Sequence, residues 1–531
     1  MTFVTRRALA ALAVAALAIA VAISLAPTPG DHDADARPHV GAAASAPVAT
    51  SAPAPDATIS VRSLAVGRPI APGFVGVSIE YSALSHYTGL DPTAVNPVFE
   101  QLLRNLSPGQ TPQVRIGGNS SDSTWWPVPG MTRPLGIKYT LTRRWLALGR
   151  RLATDTGAQL TLGIDLEAGS PPLAAVEARA LLHGVGTKHI AALEIGNEPK
   201  RYALFPWYRN PEGQLVYVRP RNYNFAAFSR DFARAVQVMP AHTVLAGPTL
   251  SGRTWLSDLG TFMAQEPRVQ VLTDHTYPLN RCWTKPGNPE YPTLSRLLST
   301  YASRQLVAAL PPYAALAHRA GDIFRVDEMQ SVACGGKLGV SDTMASSLWA
   351  LDTLFSMARA GVDGVNLHTF QKAAYELFHF AQVDGRWQGT VSPEYYGLAL
   401  FAKAAPPRAR LLLVHHAGSR AIRAWATRAP DGTVRVLLIN DSLGAAHTIL
   451  LRQPLDLAAA SVIRLQAPSA GATSGVTLGG ASFAPSTGRL GTIHATRLRS
   501  SRGGTVRVSV GAASAALVTL GPGATAASRP Q

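Results

Sequence analysis

Two glutamates, each at the end of a short apolar run, are the residues of this sequence best suited to do chemistry together. In Ala191-Ala-Leu-Glu-Ile-Gly-Asn-Glu-Pro199 the apolar character breaks at Gly196-Asn197-Glu198-Pro199. Leu193 and Ile195 suit a strand interior, Gly196 lets the backbone turn and Pro199 cannot continue a ladder, so Glu198 is predicted just past the strand's C-terminal end. Phe324-Arg-Val-Asp-Glu328 has the same design. One such glutamate reads as a solvated loop residue; two suggest a pair. Paired carboxylates divide labour when their surroundings push their pKa values apart, one serving as general acid and the other, ionised, attacking or activating water. In glycoside hydrolysis a separation of about 5 to 5.5 Å gives retention through a covalent intermediate, and a larger one gives inversion.

Such a pair needs a scaffold that brings strand ends to one face. Strands are predicted at Phe74–Ile79, Gln113–Ile116, Leu160–Ile164, around Leu193, at Val244–Gly247, Val269–Thr273, around Val326 and at Gly364–Leu367. Helical spacing lies between them at Asn96–Leu106, Leu141–Thr156, Ala174–Leu182, Asn222–Val238, Leu294–Leu306 and Asp342–Ala360. About eight alternations imply a parallel sheet closed into a (β/α)8 barrel over residues 58–403, with its C-terminal strand ends as the catalytic face. Glu198 then ends the fourth strand and Glu328 the seventh, across the mouth from one another. Beyond residue 403 short strands such as Arg410–Val414, Val434–Ile439, Thr448–Leu451 and Val506–Val510 alternate with Gly, Pro, Asp and Ser turns, the pattern of an antiparallel β-sandwich over 404–521. The early strand near Val61 needs a partner sheet and is expected to join it. Residues 522–531 read as a tail.

Length and composition agree with this division. A chain of 531 residues is too long for one ordinary core. With 47% hydrophobic and 15% charged residues it is not a disordered chain. The formal net charge of +17 comes mostly from arginines scattered through the elements, so the sequence argues against a nucleic-acid binder and leaves room for an anionic substrate.

Arg6 and Arg7 followed by the apolar run Ala8–Ala26 have the layout of a secretory signal, or of a retained single membrane anchor, so the chain is expected to be exported, either secreted or periplasmic or held at the cell surface. Residues 27–57, rich in Ala, Pro, Ser and Asp, read as a disordered tether in which Asp31, His32, Asp33 and His39 are solvated and hold no metal. The two cysteines, Cys282 and Cys334, fall in neighbouring loops; in an exported chain a disulfide between them is permitted, and the sequence leaves it open.

Asn-Glu-Pro on a fourth strand with a glutamate on a seventh resembles the retaining hydrolases of the large barrel clan. Val114-Arg-Ile-Gly-Gly-Asn-Ser120, Glu194-Ile-Gly-Asn-Glu-Pro199, Asp327-Glu328, Cys334-Gly-Gly336 and Gly339-Val-Ser-Asp-Thr343 together resemble glycoside hydrolase family 79, the β-glucuronidase and heparanase group, over roughly residues 60 to 520. The resemblance implies Glu198 as acid/base and Glu328 as nucleophile, with Asn197 on the sugar 2-hydroxyl and no cofactor. It also implies that the uronate carboxylate rests on the amides of Gly335 and Gly336 and on Tyr375. Glycine permits that close approach, and amides with a phenol bind an anion without a lysine or arginine. The expected partner is a uronic-acid-containing glycan or glycoside, cleaved from its end or, in the heparanase-like alternative, internally. A neutral-sugar hydrolase of the same clan and a non-catalytic carbohydrate-binding surface protein are the other readings.

Further rim residues follow from position alone. Glu80 and Asp122, after the first and second strands, are placed to bind sugar hydroxyls or to cap a helix. Asn119, in a glycosylation sequon, is expected to face substrate or form a turn. His275 or Tyr277, on the sixth strand, is expected to hydrogen-bond Glu328. Trp125, Trp126 and Trp283 are candidates for stacking on sugar faces, and Arg201, Arg209, Arg219 and Arg221 for contacts with further anionic groups.

Overall fold

The computed structural model describes residues 54–452, 459–499 and 504–521. The expected signal or anchor, most of the tether and the tail lie outside the described residues. Among the described residues no helix is long and apolar enough to cross a membrane.

The barrel closes. Its eight parallel strands, in chain order, are Val75–Glu80, Gln113–Gly117, Gln159–Ile164, Ile190–Ile195, Leu245–Ser251, Val269–Thr276, Ile323–Met329 and Gly364–Thr369. The eighth pairs with the first through Val365 and Val75, so the ladder has no free edge. Helices begin where side chains satisfy exposed amides: Asn96 accepts from Val98 N and Phe99 N ahead of Pro97–Leu106, and Thr142 from Trp145 N ahead of Arg143–Thr156. Each apolar helix face covers the outside of the strands in one large core.

Residues 294–306 do not form the single helix expected. Thr293 caps a short helix, Leu294–Leu297, but Ser299 Oγ then donates back to Arg296 O at 2.7 Å, and a wide π-type turn, Tyr301–Gln305, follows. The crossover helix is Pro311–Ala320, which carries Pro at its start and left-handed Gly321 at its end. After the eighth strand an unforeseen hairpin, Phe378–Val383 with Arg386–Val391, turns at Asp384-Gly385, both with positive φ. It precedes a final helix, Pro393–Ala404.

The C-terminal domain is a ten-stranded, mostly antiparallel sheet. The strand near Val61 joins it as expected: Ala57–Val66 lies between Arg410–Gly418, antiparallel, and His447–Arg452, parallel. The tether therefore ends earlier than residue 57, because Asp56 N already donates to Thr448 O at 2.9 Å. Alternation divides the strands' side chains. Val436 and Leu438 enter the domain's own core, whereas Leu437 and Ile439 join the barrel's. One sheet face thus closes the sandwich and the other packs on the barrel.

Candidate active site

Arg115 organises the floor of the barrel mouth. It lies within the second strand, fully buried, and its guanidinium reaches three carboxylates and an amide. Nε donates to Glu194 Oε2 at 2.6 Å and lies 3.4 Å from Asp327 Oδ2; Nη1 donates to Glu328 Oε2 at 2.6 Å, and Nη2 to Asn197 Oδ1 at 2.9 Å. The planar fork makes this possible, since one rigid group presents several donors at fixed angles. The other Glu328 oxygen, Oε1, accepts from Tyr277 OH at 2.6 Å. Burial pushes the Glu328 carboxyl up, but the charges of His368, His275 and Arg115 and the Tyr277 hydrogen bond outweigh it and hold the group well below the usual carboxylate range. Glu328 is therefore ionised.

Glu198 faces it from the fourth strand. Oxygens of Glu198 and Glu328 lie within 4.8 Å of one another, with a His275 ring nitrogen inside the same distance of both. Glu198 adopts a left-handed backbone, φ 47°, at the head of the turn Pro199–Ala203, and its amide donates to Thr249 O at 3.0 Å. For a non-glycine residue that conformation costs energy, and it turns the carboxylate into the cleft. Oε1 lies 3.1 Å from His275 Nδ1 and Oε2 3.2 Å from Arg201 Nη1. Burial raises the Glu198 carboxyl, as does the charge of Glu328, but the hydrogen bond and charge of His275, with Arg201, bring it below its ordinary value. His368, which faces Glu328 and Glu80, is raised: burial lowers it, and those two carboxylates more than compensate.

Glu80, Asn119, Glu198, His275, Tyr277, Glu328, Gly335 and Tyr375 line one cleft of about 1600 Å³, together with the disulfide Cys282–Cys334, which is formed. Three predicted residues stand behind it. Asp122 is buried and binds no ligand-facing group: it accepts from the amides of Leu166 and Asn197 at 3.1 and 2.9 Å and from Tyr202 OH at 2.8 Å. Burial, resisted by these bonds, pushes it up to about 7. Its work is to fix the turn that carries Asn197 and Glu198. Asn197 itself is buried, its carbonyl on Arg115 and its amino group 3.2 Å from Asn119 Oδ1. Gly336 donates its amide to Val332 O at 3.1 Å, which corrects the expectation that both glycine amides face an anion. A Cβ there would meet Tyr375 Cδ1 at 2.9 Å, so the glycine permits close packing behind Gly335.

Other assignments sort in the same way. His275 meets Glu198 and Tyr277 meets Glu328, so the sixth strand serves both carboxylates. Glu80 accepts from the amides of Asn119 and Ser120 at 3.2 and 2.8 Å and from Ser120 Oγ, bracing the turn Gly118–Ser123 while facing the cleft. Trp125 is buried beside Ile137, Leu173 and Trp207, and Trp126 packs on the barrel's outside; of the three tryptophans only Trp283 lines the cleft. Arg219 is spent on Asp231 and on the Glu167 carbonyl, and Arg209 on Gly213 O; Arg201 alone of the four arginines lines the cleft. Arg115, Glu194, Asp327 and His368 were not singled out from the sequence. Their signal was present: a charged residue inside an otherwise apolar strand must either face the barrel interior with partners or be excluded from the strand.

Residues 424–517 match the glycosyl hydrolase family 79 C-terminal beta domain. In that part the chain resembles glycosyl hydrolase family 79. A curated relative, a beta-glucuronidase of Neurospora crassa, is 22% identical over 400 residues, a match that spans 66% of this chain and 66% of the relative's length. Among solved structures, a 4-O-α-L-rhamnosyl-β-D-glucuronidase from Fusarium oxysporum 12S aligns over 87% of this chain and all of its own, with TM-score 0.66 and 19% identity. An α-L-arabinofuranosidase from Thermotoga maritima aligns over 87% of this chain and 99% of its own, with TM-score 0.60 and 16% identity. At those identities the two structures show a shared fold, a barrel with a β-domain, and the family 79 match covers the C-terminal part.

Proposed function

We propose that this chain is a retaining β-glucuronidase that removes β-linked glucuronic acid, or a related uronic acid, by double displacement, with Glu328 as nucleophile and Glu198 as acid/base. The observation that carries the reading is the pair itself: carboxylate oxygens within 4.8 Å, on the short side of the separations that distinguish retention from inversion. Arg115 and Tyr277 keep Glu328 ionised and aimed. Glu198, whose Oε1 lies 3.1 Å from His275 Nδ1, is the group assigned to deliver the leaving-group proton. Once Glu328 is esterified its charge is gone, and with it the influence that raises Glu198; the carboxyl then falls further and acts as the base that activates water. Gly335 and Tyr375, at the end of the cleft near Glu328, are the groups assigned to the uronate carboxylate. The β-glucuronidase relative supports that choice over a neutral sugar.

The test is turnover of nitrophenyl β-D-glucuronide beside the matching glucoside and xyloside. The glucuronide is expected to be preferred, Glu328→Ala to lose activity by about a thousandfold or more, and azide to restore Glu198→Ala with a product of retained configuration. Preference for the neutral sugars would remove the uronate assignment and favour the neutral-sugar alternative. Binding of acidic oligosaccharides without any turnover would favour the carbohydrate-binding alternative.

A further inference from the structure

The cleft is far larger than one sugar ring requires, and the wall beside Glu198 differs from the floor. The acid/base stands next to the bond it protonates, so the loops around Glu198 are where the leaving group must lie. Those loops expose apolar surface. Leu204 is 59% and Trp283 69% exposed, both at the cleft, and the Phe205 ring lies against Trp283, centroids 5.9 Å apart. Leu306 continues the same wall. Large apolar side chains left this open mark a binding surface more often than an accident of packing.

Three cations of that wall already have partners, while Arg281 and Ser251 also line the cleft. Lys200 Nζ donates to Thr254 Oγ1 at 2.8 Å and Arg253 Nη2 to Gln305 O at 3.0 Å. Arg201 pairs with Glu198 and lies over the Phe205 ring at 4.5 Å. A subsite for a second sugar would offer donors and acceptors at the spacing of hydroxyls, because an unpaired hydroxyl against apolar surface loses its water without replacement. This wall instead offers flat and branched apolar faces.

We infer that the leaving group this site is built for is a flat apolar aglycone, an aryl or polycyclic alcohol, and not a further sugar of a polysaccharide. The inference rests on the glycosidase reading above and narrows it to small-molecule glucuronides. It is tested with 4-methylumbelliferyl β-D-glucuronide and the disaccharide β-D-glucuronosyl-(1→6)-D-galactose, on wild type, Leu204→Asn and Trp283→Ala. Each variant is compared with wild type on the same substrate, so the differing leaving-group acidities cancel. The expected result is a fall in kcat/KM of about tenfold on the aryl substrate and less than about twofold on the disaccharide, the scale of losing one apolar contact. Equal falls on both, or a larger one on the disaccharide, would overturn it. If wild type cleaves neither glucuronide but cleaves nitrophenyl arabinofuranoside or xyloside with the same variant dependence, the uronate assignment fails and the apolar subsite stands. Loss of turnover on every aryl glycoside overturns both.

Discussion

The floor of the cleft and its outer wall are built by opposite means. On the floor, Arg115, Glu194, Asp327 and Glu328 come from within strands, are nearly all inaccessible, and hold one another through short charged contacts. On the wall, Leu204, Phe205 and Trp283 come from loops; Leu204 and Trp283 face solvent, and Phe205 packs between Trp283 and Arg201. The floor can tolerate little change at its centre, since removing Arg115 leaves buried carboxylates without their shared counterion. The wall can change residue by residue at small cost. Chemistry is thereby tied to the barrel's folding, and choice of leaving group is left to parts that do not affect it.

The sharpest way to break this contrast is Arg115→Met. Three buried carboxyls would lose their shared cation, and the expected outcome is destabilisation by about 3–5 kcal/mol in urea unfolding, together with loss of turnover. A variant that unfolds like wild type would mean that the floor is not held electrostatically. Tyr277→Phe is milder. Without its hydroxyl, Glu328 titrates higher, so the acid limb of kcat/KM should move to higher pH, with kcat down by about a hundredfold and the fold intact. The linked stability has a definite sign: a depressed Glu328 stabilises the fold above its unfolded pKa, an advantage lost as pH falls toward the folded value. Tyr277→Phe should therefore flatten the acid side of the stability profile, measured by thermal unfolding from about pH 3 to 6.

Between the two regions stands Gly336, at φ 79° and against Tyr375. Gly336→Ala should cost about 1–2 kcal/mol and raise KM for glucuronides more than it lowers kcat, because it shifts the carboxylate end and leaves the pair in place. The smallest effect is expected at Trp126, a tryptophan outside the cleft: Trp126→Ala should change kcat/KM by less than about twofold on either class of substrate. A larger change would show that the wall extends around the barrel.

Much of the fold was legible because barrel strands and helices have different apolar periods, and both glutamates could be placed by the abrupt end of their runs. The joining of the strand near Val61 to the C-terminal sheet could also be anticipated, whereas the sequence left the pairing of Cys282 with Cys334 open. What was not legible depended on direction. Asp122 and Glu80 occupy equivalent places after neighbouring strands, yet one turns inward to hold the Asn197 amide and the other reaches the cleft; nothing in a linear pattern decides this. Arg115 and Glu194 were hidden by the opposite cause, since strands had been read for apolar content and a barrel interior admits paired charges. The helix expected at 294–306 failed where Ser299 offered its backbone another partner.

The strand Ala57–Val66 carries a consequence for how the molecule is assembled. It lies inside the C-terminal sheet, flanked on both sides by strands that come more than 340 residues later, beginning at Arg410. The first and last strands among the described residues thus belong to the same domain, with the entire barrel between them. Completing the middle of the sheet closes a loop of more than 340 residues, which gives the fold a high contact order. A fragment beginning at the first barrel strand would leave two sheet edges open where one strand had closed both, so the two domains are distinct in space yet cannot be cut apart in sequence.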